Sequence, residues 1–260
     1  MEKLDLLKDY LKNLESAAVA FSGGVDSAFL AWAAHDALGE NAAAVTVSSC
    51  FVPRRELEQA EKFCKENKIR QIVLKMDPLE IEGVAQNPKN RCYLCKKMIF
   101  ESIKQTALAE GFSFVIDGTN IDDAGDFRPG LAALSELEIK SPLRECGFSK
   151  AQIREESKNA GLETWNHPSS ACLASRFVYG EEITKSKLCA VEKAEDFLLA
   201  KDFSQVRVRL HKNLARIEVL PEQMEKLFDM RNEICAQFKE IGFDFVAMDL
   251  QGFRSGSMNV

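Results

Sequence analysis

No apolar run in this chain approaches the roughly 18 residues that a membrane-crossing helix needs. The opening, Met1 to Asn13, alternates charged residues with leucines and does not read as a signal peptide. A positive net charge is missing too. Thirty-four Lys and Arg stand against 40 Asp and Glu, a balance of −6. The whole-chain field therefore gives no reason to expect non-specific nucleic-acid binding, a local basic patch aside. There is no internal repeat and no low-complexity segment. No Gly-x-x-x-x-Gly-Lys-Ser/Thr run occurs either, which removes the usual nucleoside-triphosphatase loop. What remains is an ordinary composition, 46% apolar and 28% charged over 260 residues. That length can bury a sizeable core, as one large domain or two modest ones.

Cysteine is not scarce. There are eight: Cys50, Cys64, Cys92, Cys95, Cys146, Cys172, Cys189 and Cys235. In a small secreted protein an even count reads as bridges, but a chain of this length and apolar fraction has no need of a disulfide framework. Reduced thiols in a cytoplasmic protein are the expectation.

The first ~165 residues alternate strand-like and helix-like segments. Leu4, Leu7, Leu11 and Leu14 recur at helical spacing. Ala17 to Phe21 reads as a buried strand, Val25 to Leu38 as an alanine-rich helix, and Ala42 to Val47 as a second strand. A helix over Glu56 to Asn67, a strand over Gln71 to Leu74, a helix over Cys92 to Glu110 and a strand over Phe112 to Ile116 continue the series. Short apolar strands alternating with amphipathic helices predict an α/β fold, a doubly wound parallel sheet covered on both faces. The pattern changes after Asn166 to Ser170. A helix over Thr184 to Ala200 precedes two period-two strands, Val206 to Leu210 and Ala215 to Val219. A helix from Pro221 to about Glu240 and a strand over Phe243 to Met248 complete a smaller C-terminal α+β domain. The division falls near residues 165–180, and the expected domains are 1–170 and 171–260.

Ser22-Gly23-Gly24-Val25-Asp26-Ser27 sits at a strand-to-helix junction. Glycines there let the backbone approach an anion, the helix N-terminus offers unpaired N–H groups, and Ser22 and Ser27 add hydroxyls. With Ala20 and Phe21 the string resembles the signature of the PP-loop, or N-type, ATP pyrophosphatases. That resemblance implies an ATP-consuming enzyme that adenylates an oxygen and releases pyrophosphate from this loop, with Asp26 near Mg²⁺. Asp117-Gly118-Thr119-Asn120-Ile121-Asp122-Asp123 matches the superfamily's second nucleotide-side loop, giving Gly118, Thr119, Asn120 and Asp122 as candidates. Both loops end strands, where ligands gather in doubly wound sheets. Thr46 and Ser48, ending the second strand, would lie beside the adenosine.

Arg91-Cys92-Tyr93-Leu94-Cys95-Lys96 opens a helix, a position that lowers thiol pKa values and brings two sulfurs within reach of one metal. By itself the pair serves zinc, redox and iron–sulfur sites alike. Cys172, in Pro168-Ser169-Ser170-Ala171-Cys172-Leu173-Ala174-Ser175-Arg176, suits a nucleophile whose thiolate is stabilised by nearby positive charge. Around it stand Ser141-Pro142-Leu143, Lys150-x-x-Ile153-Arg154, Gly161-Leu162-Glu163-Thr164-Trp165, Asp126-Phe127-Arg128-Pro129-Gly130, Arg207-Val208-Arg209-x-His211 and Ala215-Arg216-Ile217-Glu218. Together these resemble the LarE family of ATP-dependent sulfur transferases, from Ser22 to Glu218.

The resemblance implies a role in building the nickel-pincer nucleotide cofactor of lactate racemase. The carboxylates of pyridinium-3,5-biscarboxylic acid mononucleotide would be adenylated and converted to thiocarboxylates. Cys172 becomes the sulfur-bearing residue. In family members with one such cysteine the side chain gives up its own sulfur and remains as dehydroalanine. Cys92 and Cys95 make this chain similar to the three-cysteine subgroup, in which Cys92, Cys95 and Cys172 hold a [4Fe–4S] cluster that carries a sulfide. Sulfide or another donor would reload it. Arg176, Arg207, Arg209 and Glu218 are candidates to bind the substrate, the arginines pairing with its phosphate and carboxylates. A homo-oligomer is expected. A tRNA thiolase is the alternative within the superfamily, against which the acidic chain counts. An ammonia-dependent amide-forming synthetase would not need the three cysteines, and a nucleotide sensor would bind ATP but release no pyrophosphate.

Overall fold

The computed structural model describes residues 3–125, 129–168 and 170–254. The chain divides into two compact units, Met1–Asp77 with Asn90–Ser170, and Pro78–Lys89 with Ala171–Val260. Nothing in the sequence pattern announces the excursion of 78–89 into the second unit.

The first unit opens with α1 (Lys3–Lys12), whose Leu7 and Leu11 are buried. Then come β1 (Ala17–Ala20), α2 (Val25–Leu38), β2 (Ala42–Ser48), α3 (Arg54–Glu66), β3 (Arg70–Lys75), α4 (Arg91–Ala109) and β4 (Phe114–Ile116). Three further helices follow: α5 (Pro129–Glu136), α6 (Pro142–Glu145) and α7 (Lys150–Asn159). The four strands form one sheet in the order β3-β2-β1-β4, with every pairing parallel. Alternation along the strands splits the core in two. Ala17, Val19, Ala42 and Ala44 pack with Leu7, Leu11, Phe29 and Ile153 on one face. Ala18, Ala43, Val45 and Val115 pack with Phe100, Ile103 and Ala107 of α4 on the other. Alanine is a weak strand former, yet it fills β1 and the start of β2, because small side chains let helices close on both faces of a fully buried strand. The sheet is therefore α/β and doubly wound, as the pattern predicts.

One contact in this core bears on function. Phe29 of α2 meets Phe148, just ahead of α7, with ring centroids 5.7 Å apart and both side chains fully buried. Each such burial contributes roughly 1.5–3 kcal/mol, and the pair fixes the start of α7 against α2.

The second unit contains α8 (Lys185–Leu199), β5 (Val206–His211), β6 (Leu214–Val219), α9 (Met224–Asp229), α10 (Arg231–Ile241) and β7 (Phe245–Met248). β5 and β6 form an antiparallel hairpin, and β7 adds to β6 in parallel. The single helix expected from Pro221 is in fact a 3₁₀ turn followed by two helices. Met230 interrupts them in a bridge conformation, φ −85° and ψ 7°, ending α9 and preceding α10. The 78–89 segment is stitched in by main-chain bonds from Gly180 to the Asn87 carbonyl and from Ile183 to that of Ala85, both 2.8 Å. The buried Asn87 amide donates to the Val178 carbonyl at 2.7 Å. Among the described residues no helix is long and apolar enough to cross a membrane. No disulfide joins any of the eight cysteines.

Candidate active site

In the first unit the chain runs outward from β1 through β2 to β3, then returns to place β4 on the other side of β1. The order reverses at β1 and β4, and the crevice beyond their carboxyl ends is where a doubly wound sheet binds ligands. Ser22–Gly24 leaves β1 there and Asp117–Asn120 leaves β4.

The first loop is bonded to itself. The Ser22 amide donates to Ser27 Oγ at 3.3 Å, the Gly24 amide to Ser22 Oγ at 3.4 Å, and the Ser27 hydroxyl to the Gly24 carbonyl at 3.1 Å. Gly24 is the N-cap of α2 and, among the described residues, no side chain caps that helix. The helix start therefore keeps its positive end toward the crevice. Gly118 is where the loops meet: a Cβ there would stand 2.9 Å from the Ser27 nitrogen and 3.1 Å from the Asp26 carbonyl carbon.

The second loop is braced from below. Buried Asp117 accepts the Thr119 hydroxyl on Oδ2 and the Ser141 hydroxyl, at 2.6 Å, on Oδ1. The Asn120 amide donates to Asp123 Oδ2 at 3.0 Å and the Asp122 amide to Asn120 Oδ1 at 2.9 Å. Asp122 Oδ2 in turn accepts the Lys150 amide at 2.7 Å, and the Lys150 ammonium is ion-paired with Asp26 Oδ2. Lys150 thus touches both loops. Burial pushes the Asp26 carboxyl above the usual aspartate range, against the pull of the Lys150 hydrogen bond and charge. Its other oxygen, Oδ1, is buried with no hydrogen-bond partner among the described residues. A buried carboxylate oxygen without a donor is the kind of ligand a hard cation takes, so the residues present fit Mg²⁺ at Asp26.

Thr46 and Ser48 lie on β2 as expected, but the Thr46 hydroxyl is buried and accepts the Gln71 side-chain amide at 2.8 Å. Cys92 and Cys95 stand in the opening turns of α4, three residues apart and so on one helix face. The Arg91 guanidinium lies 3.7 Å from Cys92 Sγ. Among the described residues no group of three or more His, Cys, Asp or Glu side chains gathers as a metal site. Asp126-Phe127-Arg128, like Ser169, lies outside the described residues.

In the second unit Cys172 is exposed and precedes a 3₁₀ turn, Leu173–Arg176. The arginines expected to bind substrate are all buried: Arg176 is 0% exposed, Arg209 5% and Arg207 9%. Arg176 forks onto Glu195, and Arg209 donates to Glu218 Oε2 from Nε and Nη2 at 3.0 and 2.8 Å. Arg207 donates to the Val206 carbonyl at 2.7 Å and lies over the Phe253 ring. Glu218, fully buried, also accepts Arg216 at 3.1 Å. Burial would raise the Glu195 carboxyl, but the charge and hydrogen bonds of Arg176, the charge of Arg207 and the Val208 amide outweigh it and hold it low.

Two pairings escaped the sequence reading, that of Lys150, quoted there only within a motif, and that of Glu195, and each left a signal. Lys150 is the first residue of α7, where the helix dipole disfavours a cation, so an anion must lie opposite. Glu195 shares the core stripe of Leu188, Val191 and Leu198 on α8, and an acid in an apolar stripe needs a buried cation.

The NAD synthase family profile matches residues 1–100, the stretch that carries the first loop. An uncharacterised protein of Synechocystis sp. is 41% identical over 99% of this chain and 97% of its own length. The pyridinium-3,5-bisthiocarboxylic acid mononucleotide synthase of Lactiplantibacillus plantarum is 35% identical over 96% of this chain and 91% of its own. An uncharacterised protein of Methanocaldococcus jannaschii is 32% identical over 96% and 94%. The synthase matches along nearly all of both chains, through both units, and the chain belongs to its family, the LarE family.

Proposed function

We propose that this protein is an ATP-dependent sulfur transferase. It converts the carboxylates of pyridinium-3,5-biscarboxylic acid mononucleotide to thiocarboxylates for the nickel-pincer cofactor. The observation that carries the proposal is the 35% identity to the Lactiplantibacillus plantarum synthase across 250 residues. The crevice between the two loops supports it, since a carboxylate has no leaving group until its oxygen is esterified.

A substrate carboxylate oxygen attacks the α-phosphorus of ATP and the bond from that phosphorus to the bridging oxygen breaks. Pyrophosphate leaves toward the α2 N-terminus, Ser22, Ser27 and Lys150. Asp26 would hold Mg²⁺, which would supply charge neutralisation for the departing phosphates. A sulfide sulfur then adds to the acyl carbon, and AMP departs with the former carboxylate oxygen, leaving the thiocarboxylate. Cys172 serves this second half by helping to hold the group that would supply the sulfide. Cys92, Cys95 and Cys172 are a thiol set of the type that iron–sulfur clusters take; they would hold a [4Fe–4S] cluster, which would supply the transferred sulfide.

The test is an anaerobic purification followed by visible absorption, AMP release with the pyridinium dicarboxylate, and the intact mass of the chain. AMP and thiocarboxylate with an iron–sulfur absorption band are expected. A colourless protein whose Cys172→Ala variant still delivers sulfur ends the reading. Transfer retained in Cys92→Ser/Cys95→Ser, with the Cys172 sulfur missing from the mass, would move the assignment to the sacrificial route.

A further inference from the structure

Among the described residues Arg176 is the largest side chain with no exposed surface, and its hydrogen bonds divide into two sets. Nε and Nη2 bond Glu195 Oε1 and Oε2 at 2.9 and 3.0 Å, a fork on both carboxylate oxygens. Nη1 faces the other way and donates to the carbonyls of Ala171 at 2.6 Å and Cys172 at 3.1 Å, and to Ser175 Oγ at 3.1 Å. Glu195 is itself tied to β5, accepting the Val208 amide on Oε1 at 3.0 Å. A second guanidinium reaches the same turn: Arg209, held by Glu218, donates from Nη1 to the Ser175 carbonyl at 3.1 Å. The backbone on either side of Cys172 is thus gripped from within the unit while the residue itself is exposed.

We infer that Arg176 is a positioning residue rather than a substrate ligand, contrary to the expectation from sequence. With Glu195 as its anchor it fixes the turn that presents Cys172. The inference rests on the sulfur-transfer role proposed for Cys172. Its physical content is the planar fork: a guanidinium can hold a carboxylate on one edge and main-chain oxygens on another, which an ammonium cannot do. Such a device matters for the step in which sulfur meets an acyl carbon, where a misplacement of about 1 Å costs on the order of a hundredfold in rate. It does not matter for adenylation.

The test uses the full-length chain and Arg176→Lys, with Ser175→Ala as the milder variant should the first fail to fold. Three quantities are measured: pyrophosphate release, thiocarboxylate formation, and amide hydrogen exchange of residues 171–177. For Arg176→Lys the expectation is pyrophosphate release within about twofold of wild type, thiocarboxylate formation down about a hundredfold, and exchange of the turn at least about tenfold faster. Ser175→Ala, which removes one of the Nη1 contacts, is expected to shift the last two in the same direction by a few fold. Turn exchange unchanged in both variants would overturn the inference, as would equal losses of pyrophosphate release and sulfur transfer. If wild type forms no thiocarboxylate while the variants still loosen the turn, the clamp stands and the functional assignment falls.

Discussion

Gly118→Ala is the sharpest probe of how the two nucleotide-side loops are joined. Gly118 does not need a positive φ, so the substitution costs nothing in backbone strain and acts through contact alone. Its new Cβ would stand 2.9 Å from the Ser27 nitrogen, 3.1 Å from the Asp26 carbonyl carbon and 3.2 Å from the Ser27 Cα. All three are backbone atoms in the first turn of α2, and none can swing aside as a side chain would. The loops must part by several tenths of an ångström, an overpacking cost of about 1–3 kcal/mol, or roughly 2–10 °C in Tm. That displacement tilts the N–H groups that would face the phosphates. Binding of a non-hydrolysable ATP analogue, followed by calorimetry, should weaken by at least about tenfold, equivalent to 1.4 kcal/mol. The control is Gly111→Ala, where φ is +86° and no atom lies within 4 Å of the new methyl. It should lower Tm by strain, about 1–2 kcal/mol, without touching nucleotide affinity. Equal affinity in wild type and Gly118→Ala would refute the reasoning, whatever the change in Tm.

Asp26→Asn should raise Tm near neutral pH while abolishing pyrophosphate release. Burial holds the native carboxyl above the ordinary aspartate value of about 3.9. Stability from its proton is full below that value and lost as pH rises through the native one; a variant less stable than wild type at neutral pH would contradict this. Glu195→Ala should destabilise the chain by about 3–5 kcal/mol in denaturant titrations, since it strands a buried guanidinium. The Glu195 carboxyl is depressed in the native state, so its contribution is present above the ordinary glutamate value of about 4.3 and lost as pH falls through the native one. Glu195→Gln should therefore flatten the acid limb of the stability profile. Burial pushes the Cys64 thiol up to about 12. In native protein near neutral pH, mass spectrometry after alkylation should find Cys64 unmodified while exposed Cys189 and Cys235 are labelled; comparable labelling of all three would refute it.

The first half of the fold was legible because its signals are local. The helix over Val25–Leu38 and the strand starting at Ala42 follow from composition and from glycines at the boundaries, and the structure has them at those residues. The break at Met230 was not legible, since the apolar spacing of α9 continues into α10 across it. At the candidate site, Ser22–Ser27 and Gly118–Asp122 announced themselves as contiguous strings. The pairings of Lys150 and Glu195 did not, because the partner of each lies far along the chain: Asp26 is 124 residues from Lys150, and Arg176 is 19 from Glu195. Arg176 is the opposite case. An arginine near a nucleophile reads as an anion receptor, and only burial and the direction of its five N–H groups reveal that carbonyls occupy it.

The excursion of residues 78–89 has an architectural consequence. The second unit owns two separate stretches of chain, and Asn87 and Ala85 on the shorter one satisfy main-chain donors of Gly180 and Ile183 on the longer. Cutting at residue 170 would not release a finished module; it would leave those donors without acceptors and the first unit with a dangling insert. A chimera that transplants the unit bearing Cys172 onto another nucleotide-binding scaffold therefore needs two splice points, and it must inherit the short stretch along with the long one.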